Sequence, residues 1–278
     1  RMTLNAWIAE TKNLFIEQGV SDTPGLDARL LLEHATGYDQ GRQIVNAGEE
    51  LTSHRLNLLE NLRSQRLAGR PIAYIIGSKE FYGRSFYVDE RVLIPRPDTE
   101  ILVETVLKAI EDGVVSSEDP IIDVGTGSGA VGITLAAELD CMVLLSDISC
   151  DALDVARINS RRILGRELET IASDLLPLGR KYGIIVSNPP YLTVEWDAAV
   201  HQSVRSEPDL ALRGFGEDGL DIIRALVAES SNHGSLFIEC DYRQTKQVAG
   251  LFEEHGFTNI SIQRDLQGLE RVVWGVRT

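Results

Sequence analysis

The sequence predicts an α/β protein: a doubly wound, mostly parallel sheet with one antiparallel strand, a small N-terminal helical domain and a connecting β-hairpin. Three observations carry this. From Pro120 onward short apolar strands alternate with amphipathic helices, the pattern of a parallel sheet covered on both faces. After His255 the alternation stops, and Ile260-Ser261-Ile262-Gln263 and Val272-Val273-Trp274-Gly275-Val276 follow with no helix between them. That strand pair adds one antiparallel strand at the end of the series. Residues 1–70, in contrast, carry apolar residues at helical spacing.

Leu4, Ile8, Leu14 and Phe15 recur near the helical period, and Gly19 stops that helix. Asp22-Thr23-Pro24 opens a second, with Leu26, Leu30, Leu31 and His34, ending at Gly37. Thr52 is a candidate N-cap for a third through Leu56, Leu59, Leu62 and Arg66 to Gly69. Arg70-Pro71-Ile72 reads as a linker. A hairpin is expected from Phe81–Val88 and Val92-Leu93-Ile94, so residues 71–97 are assigned as linker plus hairpin. Thr99-Glu100 opens an amphipathic helix, and residues 98–278 form the main domain. Strands follow at Ile121–Val124, Met142–Leu145, Leu168–Ala172, Ile184–Ser187 and Leu236–Glu239. The helices between and after them are 130–138, 149–164, 218–230 and 243–255.

The 278 residues are 43% hydrophobic and 25% charged, the balance of an ordinary globular protein. No apolar run approaches the roughly 20 residues that span a bilayer. Arg1–Asn5 has no signal-peptide apolar core, and a cytoplasmic location is expected. Three scattered cysteines argue against a disulfide framework, and the five histidines show no metal-ligand spacing, so no metal site is expected. The formal net charge of −15 gives no general attraction for a phosphate backbone, so no direct nucleic-acid partner is expected. A monomer is expected.

Asp123-Val124-Gly125-Thr126-Gly127-Ser128-Gly129 joins the first strand of the series to its helix. Glycines there permit a tight turn and close approach of a ligand, and the helix N-terminus presents free N–H groups. A nucleotide-like cofactor is the sharp reading; a Gly-rich turn without a ligand is the bland one. The frame Gly127–Gly132 also fits a dinucleotide fingerprint, but it begins two residues late. Asp147, ending the next strand, suits either a ribose hydroxyl or a helix cap. Asp174-Leu175 follows the third strand, where the acid could meet an adenine amino group or stand solvated. Asn188-Pro189-Pro190-Tyr191 leaves the strand Ile184–Ser187. Two prolines make this turn stiff and remove two donors, leaving carbonyls and the Asn oxygen free to accept. With the flat Tyr face, it suits a planar –NH₂ group. Gly125, Asp147, Asp174 and Asn188 all fall at strand carboxyl ends, where such sheets bind ligands.

The Gly loop followed by Asn-Pro-Pro-Tyr resembles S-adenosylmethionine-dependent methyltransferases that act on planar nitrogens. With Leu93-Ile94-Pro95-Arg96-Pro97-Asp98-Thr99-Glu100, Glu80-Phe81 and the helical N-terminal region, the chain resembles the bacterial release factor glutamine methyltransferase family over nearly its whole length. The resemblance implies a class I methyltransferase-like domain, S-adenosyl-L-methionine as cofactor, and class I peptide-chain release factors as substrate. The target is the glutamine amide of their Gly-Gly-Gln motif. It further implies that residues 1–70 bind the release factor. Gly125, Thr126, Gly127, Ser128 and Gly129 would hold the methionine part of the cofactor, Asp147 the ribose, and Asp174, Leu175 and Asn188 would complete its site. Asn188, Pro189, Pro190 and Tyr191 would hold the substrate amide, with Asn188, Pro189 and Tyr191 in the catalytic roles. Two positions depart from the family pattern: Leu175 stands where a tryptophan is common, and Asp241 where the pattern has glycine. Phe81 and Phe86 suit core packing or the site wall. Arg96 could pair with Glu100 or an acidic ligand. A nucleic acid adenine amino methyltransferase is the competing reading, opposed by the charge of −15. A non-enzymatic helical adaptor and an NAD-dependent oxidoreductase leave the intact motifs unexplained.

Overall fold

The computed structural model describes residues 1–116, 118–193, 195–196 and 206–277. Residues 1–78 form the body of one compact unit; residues 79–196 and 207–277 belong to the other.

The first unit contains α1 (Leu4–Gln18), α2 (Pro24–Thr36), α3 (Gln40–Val45), α4 (Ser53–Leu67) and α5 (Ile72–Ile76). Thr3 and Thr52 cap α1 and α4, their hydroxyls accepting N–H groups of Ala6 and Arg55. Leu4, Trp7, Phe15, Leu31, Leu32 and Leu59 are fully buried in its core. Arg66 lies on the apolar face of α4, where it meets Asp27 of α2 at 2.8 Å. A buried charge needs such a partner. The expected linker at Arg70-Pro71-Ile72 is corrected: Pro71 directly precedes α5, and Ile75 is buried in the same core. The unit boundary therefore falls after Ser78. Leu26 is exposed, and α2 buries Ala28, Leu31 and Leu32 instead.

The second unit begins with a hairpin of β1 (Lys79–Phe81) and β2 (Arg84–Phe86). Its two-residue turn, Tyr82-Gly83, has φ of 50° and 69°, the mirror-image geometry that matches strand twist. The expected pairing with Val92-Leu93-Ile94 is thus corrected, because the turn lies inside the aromatic run. Pro95 and Pro97 deny that segment ladder donors, and the Ile94 N–H goes to Glu207 Oε2 at 2.9 Å. Phe81 and Phe86 are buried edge-to-face at 6.0 Å, so both are core residues.

The remaining elements are α6 (Glu100–Glu111), β3 (Ile121–Val124), α7 (Ala130–Glu138), β4 (Val143–Asp147), α8 (Cys150–Leu164), β5 (Glu169–Ala172), β6 (Ile184–Ser187), α9 (Asp221–Ser230), β7 (Ser235–Glu239), α10 (Thr245–Glu254), β8 (Thr258–Arg264) and β9 (Glu270–Val276). The sheet order is β5-β4-β3-β6-β7-β9-β8. β9 runs antiparallel to both neighbours, while β3 to β7 pair in parallel. The one antiparallel strand is therefore inserted beside β7, and β8 takes the edge. Alternate residues of β3 and β6 face opposite cores. Ile121, Ile184 and Val186 pack with α6 and α7, whereas Ile122, Val124 and Ile185 pack with α9 and α10. Both faces are covered, which is why these strands carry apolar residues on both sides. Strand order reverses between β3 and β6, and a crevice opens at their carboxyl ends.

Candidate active site

The turn after β3 is built around Asp123. Its Oδ2 accepts the Thr126 hydroxyl at 2.7 Å and the Gly132 N–H at 2.9 Å. Burial pushes this carboxyl up to about 7, against the pull of those bonds. A Cβ at Gly132 would lie 2.4 Å from Leu145 Cδ2 and 2.9 Å from Asp123 Cβ, so glycine is required for this packing. Gly125 and Gly127 differ: their φ are 69° and 54°, and nothing stands within 4 Å of a Cβ built on them. They line open space. Asp147 braces the loop, Oδ2 accepting the Gly127 N–H and Oδ1 the Ser149 N–H, both at 2.9 Å. The helix-cap reading matches the Ser149 bond, and Asp147 is also a residue of the cavity lining. Burial raises its pKa, opposed by the Ser149 and Gly127 N–H groups.

At the end of β6 the Ser187 hydroxyl donates to the Val124 carbonyl at 2.7 Å, joining the two strand ends. Asn188 Nδ2 donates to Thr99 Oγ1 at 3.2 Å. That leaves Asn188 Oδ1 as a free acceptor. Glu239, the buried last residue of β7, lies close by, and Thr99 helps to favour its ionised form. Tyr191 turns its hydroxyl to Glu239 Oε1 at 3.4 Å, and burial raises its pKa well above the ordinary phenol value. Burial also pushes Glu239 up to about 7, opposed by Thr99 and the charge of Arg271. From behind, Gln244 Nε2 donates to the Tyr191 carbonyl at 3.0 Å and the Asp218 carbonyl at 2.9 Å.

A cavity of about 490 Å³ lies over these strand ends, within the usual range for small-molecule sites. Gly125, Gly127, Asp147, Asp174 and Leu175 form one side, and Asn188, Pro189 and Pro190 another. Thr126, Ser128, Gly129 and Tyr191 do not line it. Thr126 holds Asp123, the Ser128 carbonyl accepts Asn159 Nδ2 at 2.8 Å, and Gly129 packs against Ile133 at the start of α7. Leu175 lies on the wall with φ of 64°, and the next N–H is held by Glu229 at 3.1 Å. The backbone of Asp241 is outside the left-handed region, so no glycine is needed there. Arg96 pairs with Glu207, which corrects the expected choice between Glu100 and a ligand. Glu100 instead takes the Tyr82 N–H at 2.8 Å. Sequence reasoning missed Thr99, Glu207, Gln244 and the wall residues Val92, Leu93 and Phe215. The glycine cluster Gly214-Phe215-Gly216-Glu217-Asp218-Gly219 was the one available signal.

A release factor glutamine methyltransferase of Neisseria gonorrhoeae is 38% identical to this chain over 283 residues, covering 99% of this chain and 97% of the relative. The chain belongs to the release factor glutamine methyltransferase family. A second member, from Burkholderia pseudomallei, is 38% identical over 92% of this chain and 93% of its own. Residues 6–77 match the PrmC N-terminal domain and residues 97–217 the methyltransferase small domain. Solved structures agree in fold. The human Mettl16 catalytic domain has a TM-score of 0.57 at 15% identity, covering 70% of this chain and 76% of that one. A Thermus thermophilus 16S rRNA N2 G1207 methyltransferase has a TM-score of 0.52 at 18% identity, covering 72% of this chain and 50% of that one. This family member is an enzyme, a methyltransferase, and its methyl donor is S-adenosyl-L-methionine. The site fits that group: two left-handed glycines border open space, a carboxylate stands at the second strand end, and Leu175 supplies an apolar wall.

Proposed function

We propose that this chain methylates the side-chain amide nitrogen of the glutamine in the Gly-Gly-Gln motif of class I release factors. The orientation of Asn188 carries the reading. Its Nδ2 is committed to Thr99, so Oδ1 and the Pro189 carbonyl can accept the two hydrogens of one primary amide. Two acceptors side by side favour –NH₂ over a carboxylate, whose oxygens would meet oxygens.

When bound, S-adenosylmethionine supplies an electrophilic methyl group. In this reading Gly125 and Gly127 hold its methionine part, while Thr126, Ser128 and Gly129 shape the turn around them; Asp147 holds its ribose, and Asp174 and Leu175 its adenine. The amide nitrogen is a weak nucleophile because its lone pair is delocalised into the carbonyl. Asn188 and Pro189 fix that nitrogen in line, an advantage worth up to about 7–11 kcal/mol for well-oriented reactants. Both acceptors also stabilise positive charge growing on nitrogen, so their contribution increases toward the transition state. One of the two amide protons is then released to water, which restores a neutral N-methyl amide. Tyr191, packed against the core with its hydroxyl turned to Glu239, steadies the turn and does not touch the amide.

The helical unit serves as the release-factor binding element, and the enzyme works as a cytoplasmic monomer without direct nucleic-acid contact. The net charge of −15 supports the last point. No helix among the described residues is long and apolar enough to cross a membrane. The test is intact mass of a class I release factor after incubation with enzyme and cofactor, followed by peptide mapping. One methyl group on the motif glutamine is expected. An unmodified release factor beside methylated adenine in DNA would favour the competing reading.

A further inference from the structure

Among the described residues, four non-glycine positions have left-handed backbones: Tyr82, Leu175, Phe215 and Asn259. Two of them, Leu175 and Phe215, line the active-site cavity. Phe215 has φ of 57° and a side chain that is 55% exposed. A bulky L residue is strained in that conformation, and strain of this kind clusters at ligand sites. An exposed ring gains nothing from burial that would offset it.

The neighbours of Phe215 show how the geometry is imposed. A Cβ on Gly214 would lie 1.8 Å from the Gly219 carbonyl oxygen and 2.8 Å from that of Pro190. One on Gly219 would lie 2.5 Å from the Tyr191 carbonyl oxygen. Leu192 N–H donates to the Leu212 carbonyl at 3.0 Å, and Gly214 N–H to the Leu192 carbonyl at 3.2 Å. These contacts tie the two ends of the segment to Pro190, Tyr191 and Leu192. Phe215 follows directly on the glycine that abuts Pro190 and lines the cavity with Asn188, Pro189 and Pro190, the proposed amide-binding residues. The loops after β3, β4 and β5 form the cofactor side.

We propose that Phe215 determines substrate specificity, its ring being the platform on which the side-chain-free Gly-Gly backbone preceding the target glutamine lies. This rests on the function proposed above. Flat peptide groups without Cβ atoms can approach an aromatic face closely, whereas a side chain would hold them off. The two glycines therefore match an aromatic surface set beside the amide-binding turn.

The experiment uses the full chain, S-adenosylmethionine and an intact class I release factor. Phe215→Ala is expected to raise KM for the release factor about tenfold or more, as truncation of an aromatic anchor does. Cofactor affinity by calorimetry should stay within about twofold, and Phe215→Tyr should restore KM. Replacing either motif glycine by alanine in the release factor should raise KM with the wild-type enzyme. That penalty should shrink with Phe215→Ala, the signature of direct coupling. An unchanged KM in Phe215→Ala, a glycine-to-alanine penalty equal in both enzymes, or cofactor affinity lost in parallel overturns the proposal. A wild-type enzyme that leaves the glutamine unmethylated defeats the parent reading instead, before any variant is compared.

Discussion

Asn188 is oriented by one hydrogen bond, and that bond decides its chemistry. With Nδ2 given to Thr99, the oxygen is what remains for a substrate. Asn188→Ala is expected to lower kcat by about 10²–10³-fold, as loss of a preorganised polar contact does. Cofactor affinity measured by calorimetry should hardly move. Thr99→Val keeps the shape but removes the acceptor, freeing the amide to rotate. About a tenfold fall in kcat is expected, with Thr99→Ser recovering most of it. Equal turnover in Thr99→Val and wild type would show that the hydroxyl does not set the amide. Asn188 was legible in the sequence because its features are local: a strand end, two prolines and a carboxamide. Thr99 and Glu239 were not. They stand 89 and 51 residues from Asn188: Thr99, at the start of α6, bonds Asn188 itself, and Glu239 reaches Tyr191 of the same turn because β7 lies beside β6.

Among the elements, the segment 214–219 is the least conspicuous in sequence and the most constrained in space. Three carbonyl contacts at Gly214 and Gly219 leave no room for a methyl group. Gly219→Ala must relieve both a φ of 72° and the 2.5 Å approach to Tyr191. It is expected to cost about 1–3 kcal/mol in urea unfolding and to reduce turnover by more than cofactor affinity. A variant with normal turnover would mean that the turn does not depend on this support. Sequence patterning marked the glycines but not their target, since close approach between two loops leaves no periodic trace. The hairpin teaches the same lesson. A Tyr at φ of 50° is an uncommon turn residue, so Tyr82-Gly83 was hidden within an aromatic run. The sheet, whose signal is periodic, was legible almost strand by strand.

At the scale of the whole molecule, two carboxyls are buried at strand ends with pKa values of about 7, Asp123 and Glu239. Burial is the main cause for both. A carboxyl raised in the folded state binds more protons there than in the unfolded chain, so stability falls as pH rises through that interval. Ordinary values are 3.8 and 4.5, so thermal stability is expected to decline between about pH 4 and 7 on their account. Asp123→Asn should flatten that part of a melting-temperature profile; an equally steep profile would assign the slope to other groups. The arrangement of β9 has a consequence for the order of synthesis. Residues 258–264 leave the ribosome before residues 270–276, yet β9 is what pairs β8 with the rest of the sheet. While β9 is still inside the exit tunnel, β7 has an open edge beside it and β8 has no strand to join. Glu239, at the end of β7, holds the Tyr191 hydroxyl, so the support of the Asn-Pro-Pro-Tyr turn and the sheet's last gap are completed in the same late step. A nascent chain arrested before β9 emerges should stay protease-sensitive and recruit edge-binding chaperones, however complete its cofactor loops already are.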